Sequence, residues 1–156
     1  MEGKVAFQKL AALCAKGEHC QQEMLEKMRH WGVDEEEQAE VMARLIGERY
    51  VNDERFARAF VHDKLVYNQW GRRKIEQALW LKRIDKDIAA TVLDEIDDED
   101  YIAVLRPMLR QKRKSTTGRN DYERNLKLIK WAMGRGFTID IIRQCMETDI
   151  DMDFEE

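Results

Sequence analysis

The stretch DERFARAFVHDKLVYNQWGRRKIEQALWLKRIDKDIAATVLDEI, residues 53–96, decides the fold. It contains two stripes of mainly apolar residues at spacings of three and four, and each stripe marks one face of a helix. Gly71 ends the first helix, and Asp85 opens the last one as an N-cap. The stretch therefore predicts three helices joined by short turns. The stripes comprise Phe56, Ala57, Phe60, Lys64 and Tyr67, and Ile88, Ala89, Val92, Leu93 and Ile96.

Similar blocks recur on both sides of this stretch. Residues 28–33, 79–84 and 132–137 resemble one another, lie about 50 residues apart, and each precedes a cap residue and a short helix. Such a period indicates tandem units, each with too little core to stand alone, that stack on their neighbours. We therefore predict an all-α fold of three tandem three-helix repeats, similar to helix-turn-helix units, in an elongated, curved solenoid.

The predicted boundaries follow from caps and glycines. Asp34 and Glu37 have the spacing of a capping box, and Asp53 is expected to cap the fourth helix. Pro107 is expected to kink or interrupt the seventh helix. The predicted repeats are residues 1–52, 53–97 and 98–148, followed by an acidic tail at 149–156. Nine helices are expected near 3–16, 19–31, 34–48, 53–69, 71–82, 85–96, 98–115, 118–134 and 138–148.

The apolar stripes also predict which side chains are buried. A stripe on one helix face must pack against a neighbouring element. We expect burial for Phe56, Phe60, Leu79 and Val92, and for two further stripes. These are Phe7, Leu10, Ala11 and Cys14, and Tyr122, Leu126, Ile129 and Met133.

Composition excludes several classes of protein. Among 156 residues, 44% are hydrophobic and 37% charged, which is too apolar for a disordered chain. One proline and eight glycines leave little turn chemistry for an all-β fold. No apolar run approaches the ~20 residues of a membrane span, and no signal peptide is evident. We expect a cytoplasmic protein that does not contact membranes, and three unpaired cysteines suit a reducing compartment.

Motifs of catalysis and metal binding are missing from the sequence. There is no phosphate-binding loop, dinucleotide fingerprint or zinc-protease motif, and Ser115 is the only serine. Cys14, His19 and Cys20 match no zinc-ligand spacing. We expect a protein that is not an enzyme and needs no cofactor and no metal.

Charge is distributed unevenly although the net charge is only −4. Residues 101–120 contain no acid, and acids concentrate at 35–37, 94–100 and 149–156. Basic residues in such an arrangement either form an ordinary solvated face or bind nucleic acid or an acidic protein surface. The four tryptophans either stack on bases or fill contacts between repeats. The predicted partner-binding stripe comprises Arg72, Arg73, Lys74, Lys82, Arg83, Arg106, Arg110, Lys112, Arg113, Lys114 and Arg119.

Residues 45–85 resemble the signature of the RecX family of bacterial regulatory proteins, and the block at 135–137 also suits that family. Three consecutive three-helix units are what this family has. The matching residues are Tyr50, Asp53, Glu54, Arg55, Phe56, Ala57, Phe60, Gly71, Arg73, Ile75, Leu79 and Ile84, with Arg135, Gly136 and Phe137.

The resemblance implies a non-enzymatic modulator of the RecA recombinase. Such proteins bind the RecA filament on single-stranded DNA and usually inhibit it, which affects recombination, DNA repair and the SOS response. We expect a monomer. The alternative is a DNA-binding protein that uses its helix-turn-helix-like units, and weak direct DNA contact stays open. Acidic residues at the predicted starts of all three third helices argue against phosphate contact there.

Overall fold

The protein is described by a computed structural model that covers the backbone of residues 1–155 and the side chains of residues 1–147. Within that range the chain forms nine helices and no strand, which confirms the all-α prediction. The predicted helix positions agree with the observed ones apart from their ends. The helices are α1 Gly3–Lys16, α2 Gln21–His30, α3 Glu35–Gly47, α4 Asp53–Val66, α5 Arg72–Leu81, α6 Lys86–Asp94, α7 Asp98–Ser115, α8 Asp121–Gly134 and α9 Ile139–Glu155.

The chain divides into two compact units. Unit 1 comprises Met1–Phe60 and Leu79–Val92, and unit 2 comprises Val61–Ala78 and Leu93–Glu156. Helices α4, α5 and α6 therefore each contribute residues to both units. The repeat boundaries read from the sequence stay a prediction. The side chains of the predicted acidic tail, residues 149–156, lie outside the described residues.

The core of unit 1 is built by α1, α2 and α3, and α3 packs against both of the others. Ring packing extends it, because Phe7 meets Tyr50 edge-on at 5.9 Å between centroids. Phe7 and Leu10 are buried, and Ala11 and Cys14 are half-buried, as their stripe predicts. The buried core side chains are Ala6, Phe7, Leu10, Met24, Met28, Val33, Val41, Leu45 and Val51.

The core of unit 2 is built mainly by α7, α8 and α9, which pack against one another. Large apolar side chains with little or no exposure fill it, and their burial supplies most of the favourable free energy of folding. The residues at the centre of this core are Leu105, Leu109, Leu128, Phe137 and Ile142.

Each unit contains one contact between the start of a helix and a distant helix-helix turn. We call the contact of residues 20–23 at the start of α2 with the α5–α6 turn the unit 1 joint. We call the contact of residues 71–73 at the start of α5 with the α8–α9 turn the unit 2 joint. In both cases free N–H groups of a helix's first turn lie at the joint, where they need hydrogen-bond acceptors.

Two of the predicted helix caps are wrong, and one is confirmed. Asp34 makes no side-chain cap hydrogen bond, and Glu37 accepts from the distant Gly3 N at 3.2 Å. Asn52, not Asp53, caps α4 by accepting from Arg55 N at 2.9 Å. Asp85 caps α6 as predicted, since its Oδ1 accepts from Asp87 N at 2.9 Å.

The burial predictions hold for most positions but fail on α8 and for Tyr67, the last residue of the Phe56 stripe, which is 75% exposed. Phe56, Leu79 and Val92 are buried, whereas Phe60 is only half-buried beside Phe56. The stripe from Tyr122 to Met133 is largely exposed, because α8 turns Leu128 and Ala132 to the core of unit 2 instead. The face of α8 that packs on the core of unit 2 is therefore the one that carries Leu128 and Ala132.

Pro107 does not interrupt α7, which continues from Asp98 to Ser115. Proline removes the hydrogen bond that would reach back four residues, to the carbonyl of Ala103. Both Ala103 and Pro107 are exposed, so this carbonyl lies on the side of the helix that solvent reaches.

Candidate partner-binding surface

The structure distributes the eleven predicted cationic residues over both units. Lys82 and Arg83 belong to unit 1, and the other nine belong to unit 2. Their role in binding a partner stays a prediction at this point.

In unit 1, Lys82 is part of the unit 1 joint. Its Nζ lies 3.2 Å from Glu23 Oε2, and its carbonyl accepts the Cys20 thiol at 3.9 Å. Glu23 Oε1 in turn accepts from Cys20 N at 3.0 Å, and Asp53 Oδ1 accepts from Gln21 N at 2.9 Å. The charge of Lys82 is thus paired inside the protein. Arg83 is exposed, with its backbone in the left-handed region at φ 56°.

In the unit 1 joint, the pKa values of the two carboxyl groups, Glu23 and Asp53, are shifted in opposite directions. Burial alone raises the pKa of Glu23, but the Cys20 N–H bond and the Lys82 ammonium outweigh it, so that pKa lies below its ordinary value. Burial raises the pKa of Asp53 despite its bond from Gln21 N, and nearby Glu23 raises it further. Burial also raises the pKa of the Cys20 thiol to about 11, so this cysteine is not a reactive thiolate.

In unit 2, the start of α5 is held by backbone contacts. Gly71 N donates to Arg135 O at 2.9 Å, and Arg73 N donates to Gly136 O at 3.0 Å. A Cβ added at Gly71 would collide with the backbone of Gly136 and Phe137. Glycine is therefore required at position 71 for close approach of two backbones.

The side chains at the start of α5 differ in their freedom. Arg72 forms a salt bridge with Asp94 at 2.6 Å and is partly withdrawn from solvent. Arg73 is exposed. The Lys74 ammonium lies 4.6 Å from the centre of the Trp70 ring, within reach of a cation–π interaction.

The C-terminal half of α7 and the turn after it carry the remaining cations. We call Arg106, Arg110, Lys112, Arg113, Lys114 and Arg119 the basic segment. Arg110, Lys114 and Arg119 are exposed, while Arg106 is half-buried with its Nε shielded and without a hydrogen-bond partner. Arg113 Nη1 donates to Asn125 Oδ1 of α8 at 3.2 Å. The basic segment therefore borders α8 directly.

Two tryptophans of unit 2 each have two cations close to the ring. Lys64 and Lys74 approach Trp70 at 5.0 and 4.6 Å, and Lys112 and Arg135 approach Trp131, both at 5.6 Å. Sequence reasoning missed Lys64 and Arg135. A partial signal was present for Arg135, which follows Trp131 by four residues at the end of α8, a spacing that brings side chains together on a helix.

The exposed face of α8 is the second feature that sequence reasoning missed. Tyr122 is 73% exposed, Leu126 41% and Met133 45%, and Ile129 between them is half-buried. Their spacings of four, three and four put them in one row along the helix. This row, which we call the α8 ridge, lies beside Arg113 on one side, through Asn125, and Lys130 follows Leu126 by four residues.

Tyr101, on the buried face of α7 near its N-terminus, has an unpaired polar group. Its hydroxyl is buried without a hydrogen-bond partner, and burial raises its pKa to about 12 although nearby Arg72 opposes the shift. A small cavity of about 60 Å³ adjoins it, lined also by Arg72, Phe137 and Ile141.

Two classes of site are not found in the part of the chain that the structure describes. None of its helices is long and apolar enough to cross a membrane. No group of three or more histidine, cysteine, aspartate or glutamate residues within that part is arranged to hold a metal ion.

Comparison with protein families gives two adjacent matches. Residues 52–93 match the second three-helix domain of RecX, and residues 98–146 match its third three-helix domain. Together the two matches span more than half of the chain. They support the helical repeat that the spacing of the sequence blocks predicts.

Individual relatives agree with these matches. The regulatory protein RecX of Acinetobacter baylyi is 30% identical over 86% of this chain and 82% of its own length. The regulatory protein RecX of Chromobacterium violaceum is 26% identical over 99% and 97%, respectively.

Solved structures show the same fold. RecX from Lactobacillus salivarius has a TM-score of 0.82 at 21% identity, covering 96% of this chain and 97% of that one. A second structure of a regulatory protein RecX has a TM-score of 0.84 at 14% identity, covering 93% and 71%. Given the domain matches and the Acinetobacter relative, this chain belongs to the RecX family of regulatory proteins.

Proposed function

We propose that this protein is a non-enzymatic regulator that binds the RecA recombinase filament on single-stranded DNA and inhibits it. The proposal joins family membership, which gives a regulatory role, to the resemblance that implies the filament as partner. The observation that carries it is the basic segment, which lies in a stretch of 20 residues without an acid, residues 101–120. In this reading the protein acts in the cytoplasm, in recombination and DNA repair.

An assembled filament suits such a segment. It repeats acidic groups of both protein and DNA along its length, and opposite charges speed encounter and orient the complex. Several exposed cations of the basic segment, among them Lys114 and Arg119, are available to such a partner. Lys82 and Arg72 are already paired with Glu23 and Asp94, so we assign them a smaller share of the binding energy.

The DNA-binding alternative is less well supported. A recognition helix approaches DNA with its N-terminal residues. The last helices of the three-helix groups, α3, α6 and α9, carry acids in their first turns, with Glu35, Asp87 and Asp140 all exposed. These acids repel phosphates at the place where a recognition helix needs to attract them.

The test is single-stranded-DNA-dependent ATP hydrolysis by the cognate RecA. Wild type is expected to inhibit hydrolysis, and replacement of Arg110, Arg113 and Lys114 by Glu is expected to reduce the inhibition about tenfold or more. A control replaces Lys4, Lys16 and Lys86 by Glu, which gives the same change in net charge in exposed side chains of unit 1. This control is expected to inhibit like wild type.

Three outcomes distinguish the proposed function from its alternatives. Equal inhibition by the triple variant and wild type contradicts the role of the basic segment. Equal loss in the triple variant and the control reduces the effect to net charge. Binding of wild type to bare duplex DNA as tightly as to filament supports the DNA-binding alternative instead.

A further inference from the structure

We propose that the α8 ridge is a docking surface for an acidic, amphipathic helix or segment of a protein partner, which in the proposed function is a recombinase subunit of the filament. The inference rests on that proposed function and deepens it. It assigns part of the binding to protein–protein contact rather than to DNA, and to residues outside the basic segment.

The residues of the α8 ridge are spaced like those of a helix-packing surface. Tyr122, Leu126, Ile129 and Met133 follow spacings of four, three and four, the arrangement with which one helix packs along another. The row extends about 16 Å along α8 at 1.5 Å per residue. In unit 2, however, Leu128 and Ala132 supply the face of α8 that is buried. The ridge is therefore a second apolar face that the described part of unit 2 does not cover.

The second feature is the chemistry of the exposed residues. Tyrosine and methionine are enriched in the centres of protein interfaces, and a partner's helix reads such a row as anchors three and four residues apart. Tyr122 is 73% exposed, which is unusual for a ring in a row with other apolar side chains. Large apolar side chains that lie together on a surface mark interaction sites more often than single ones do.

The charged side chains beside the α8 ridge indicate what kind of partner it binds. Arg113 reaches Asn125 on one side of the ridge, and Lys130 lies on the other side, four residues after Leu126. Lys127 is also exposed, and its ammonium donates to Thr117 O at 2.6 Å. The half-buried Glu123 also lies on the Lys130 side, but the cations outnumber it, and an apolar row bordered mainly by cations is complementary to one bordered by acids. This complementarity favours an acidic protein segment, and the apolar row has nothing to offer a phosphate backbone.

The experiment measures binding of full-length variants to RecA filaments assembled on labelled single-stranded DNA, with bare single-stranded DNA as the second probe. Leu126→Asp and Tyr122→Ala are each expected to weaken filament binding about tenfold while changing binding to bare DNA less than about twofold. Helical content is expected to stay as in wild type, because neither residue belongs to the buried core. A small fall in melting temperature is expected for Leu126→Asp, since part of that side chain is covered.

The chain offers a matched control for each variant. Ile46, 42% exposed, matches Leu126, and Tyr67, 75% exposed, matches Tyr122. Ile46→Asp and Tyr67→Ala are expected to bind the filament like wild type. If they weaken binding as much as the ridge variants do, exposed apolar residues act without regard to position and the inference is wrong.

The remaining outcomes distinguish this inference from the proposed function. Normal filament binding by both ridge variants, with loss in the Arg110, Arg113 and Lys114 triple variant, overturns the inference and leaves the proposed function standing. Equal loss for filament and bare DNA shows that the ridge contacts DNA, which also overturns it. Absence of any filament binding by wild type overturns both.

Discussion

Both joints connect the start of a helix to a distant helix–helix turn, but they do so through different groups. In unit 1, the start of α2 meets the α5–α6 turn through side chains, since Glu23 bridges Cys20 N and Lys82. In unit 2, the start of α5 meets the α8–α9 turn through backbone groups, since Gly71 and Arg73 donate to the carbonyls of Arg135 and Gly136. A repeat thus conserves the position of a contact while its atoms change.

The difference has consequences for tolerance to change. A side-chain joint contains flexible groups that relax when one of them is altered, and its charges respond to pH. A backbone joint has no such freedom, because the two main chains at Gly71 and Phe137 approach too closely for any Cβ between them. We therefore expect unit 2 to be sensitive to small changes of shape and unit 1 to changes of charge.

The largest effect is expected from Gly71→Ala or Gly136→Ala in the unit 2 joint. A Cβ at Gly71 collides with the backbone of Phe137, and Gly136 has φ of 96° beside the backbone of Lys74. Each variant is expected to lower the free energy of unfolding by about 3 kcal/mol or more in denaturant melts. Gly17→Ala, in extended backbone with open space around it, is the control and should change it by less than about 0.5 kcal/mol.

A smaller effect is expected from Glu23→Ala in the unit 1 joint. The change leaves Cys20 N and Lys82 without their acceptor, which we expect to cost about 1–2 kcal/mol in the same measurement. Glu48→Ala breaks the exposed Arg44–Glu48 pair and serves as control, with an expected change below about 0.5 kcal/mol. Equal losses in the two variants would mean that the unit 1 joint is only surface charge pairing.

Tyr101→Phe tests the buried hydroxyl of unit 2 and should stabilise the protein by about 1 kcal/mol at neutral pH, because it removes a buried polar group without a partner. Because burial raises the pKa of Tyr101 to about 12, the hydroxyl ionises more easily in the unfolded chain than in the folded one, so wild type loses further stability as the pH rises above the ordinary tyrosine pKa. The alkaline decrease in unfolding free energy is therefore expected to be smaller in the variant. An unchanged pH profile would contradict this assignment.

The smallest effects are expected from the opposed carboxyl groups of the unit 1 joint. The pKa of Glu23 is lowered, so its stabilisation is present above its ordinary pKa and is lost as the pH falls. The pKa of Asp53 is raised, so acidification instead adds stability through that group. Between about pH 5 and 3, Glu23→Gln should lose less stability than wild type, and Asp53→Asn should lose more. Shifts of the same sign in both variants would contradict the assignment.

The sequence predicted the helices well because apolar spacing and caps are local signals. It also indicates both sides of the unit 2 joint, since Gly71 and the block at 135–137 each match the signature of the same family. It did not reveal that these two segments touch. Contact between residues 64 positions apart depends on how helices stack, which no local pattern contains.

The errors on α8 and at the caps have a related cause. Two apolar rows compete on α8, and the sequence alone gives no reason to prefer Leu128 and Ala132 over the row from Tyr122 to Met133. The sequence pattern predicts local capping roles for Glu37 and Asp53. Each side chain instead accepts a hydrogen bond from the backbone N–H of another segment, Gly3 and Gln21 respectively. Local sequence patterns do not predict the roles of side chains that make tertiary contacts.

If unit 2 contacts the filament through the basic segment, as we propose, site-specific photocrosslinking will detect that contact directly. A photoreactive residue in place of Lys114, at the exposed end of α7, is expected to form a covalent adduct with RecA in the presence of single-stranded DNA and ATP analogue. The same group in place of Lys4, exposed in unit 1, is expected to form little or none. Adducts from position 4 alone, or from neither position while wild type still inhibits ATP hydrolysis, would contradict the claim.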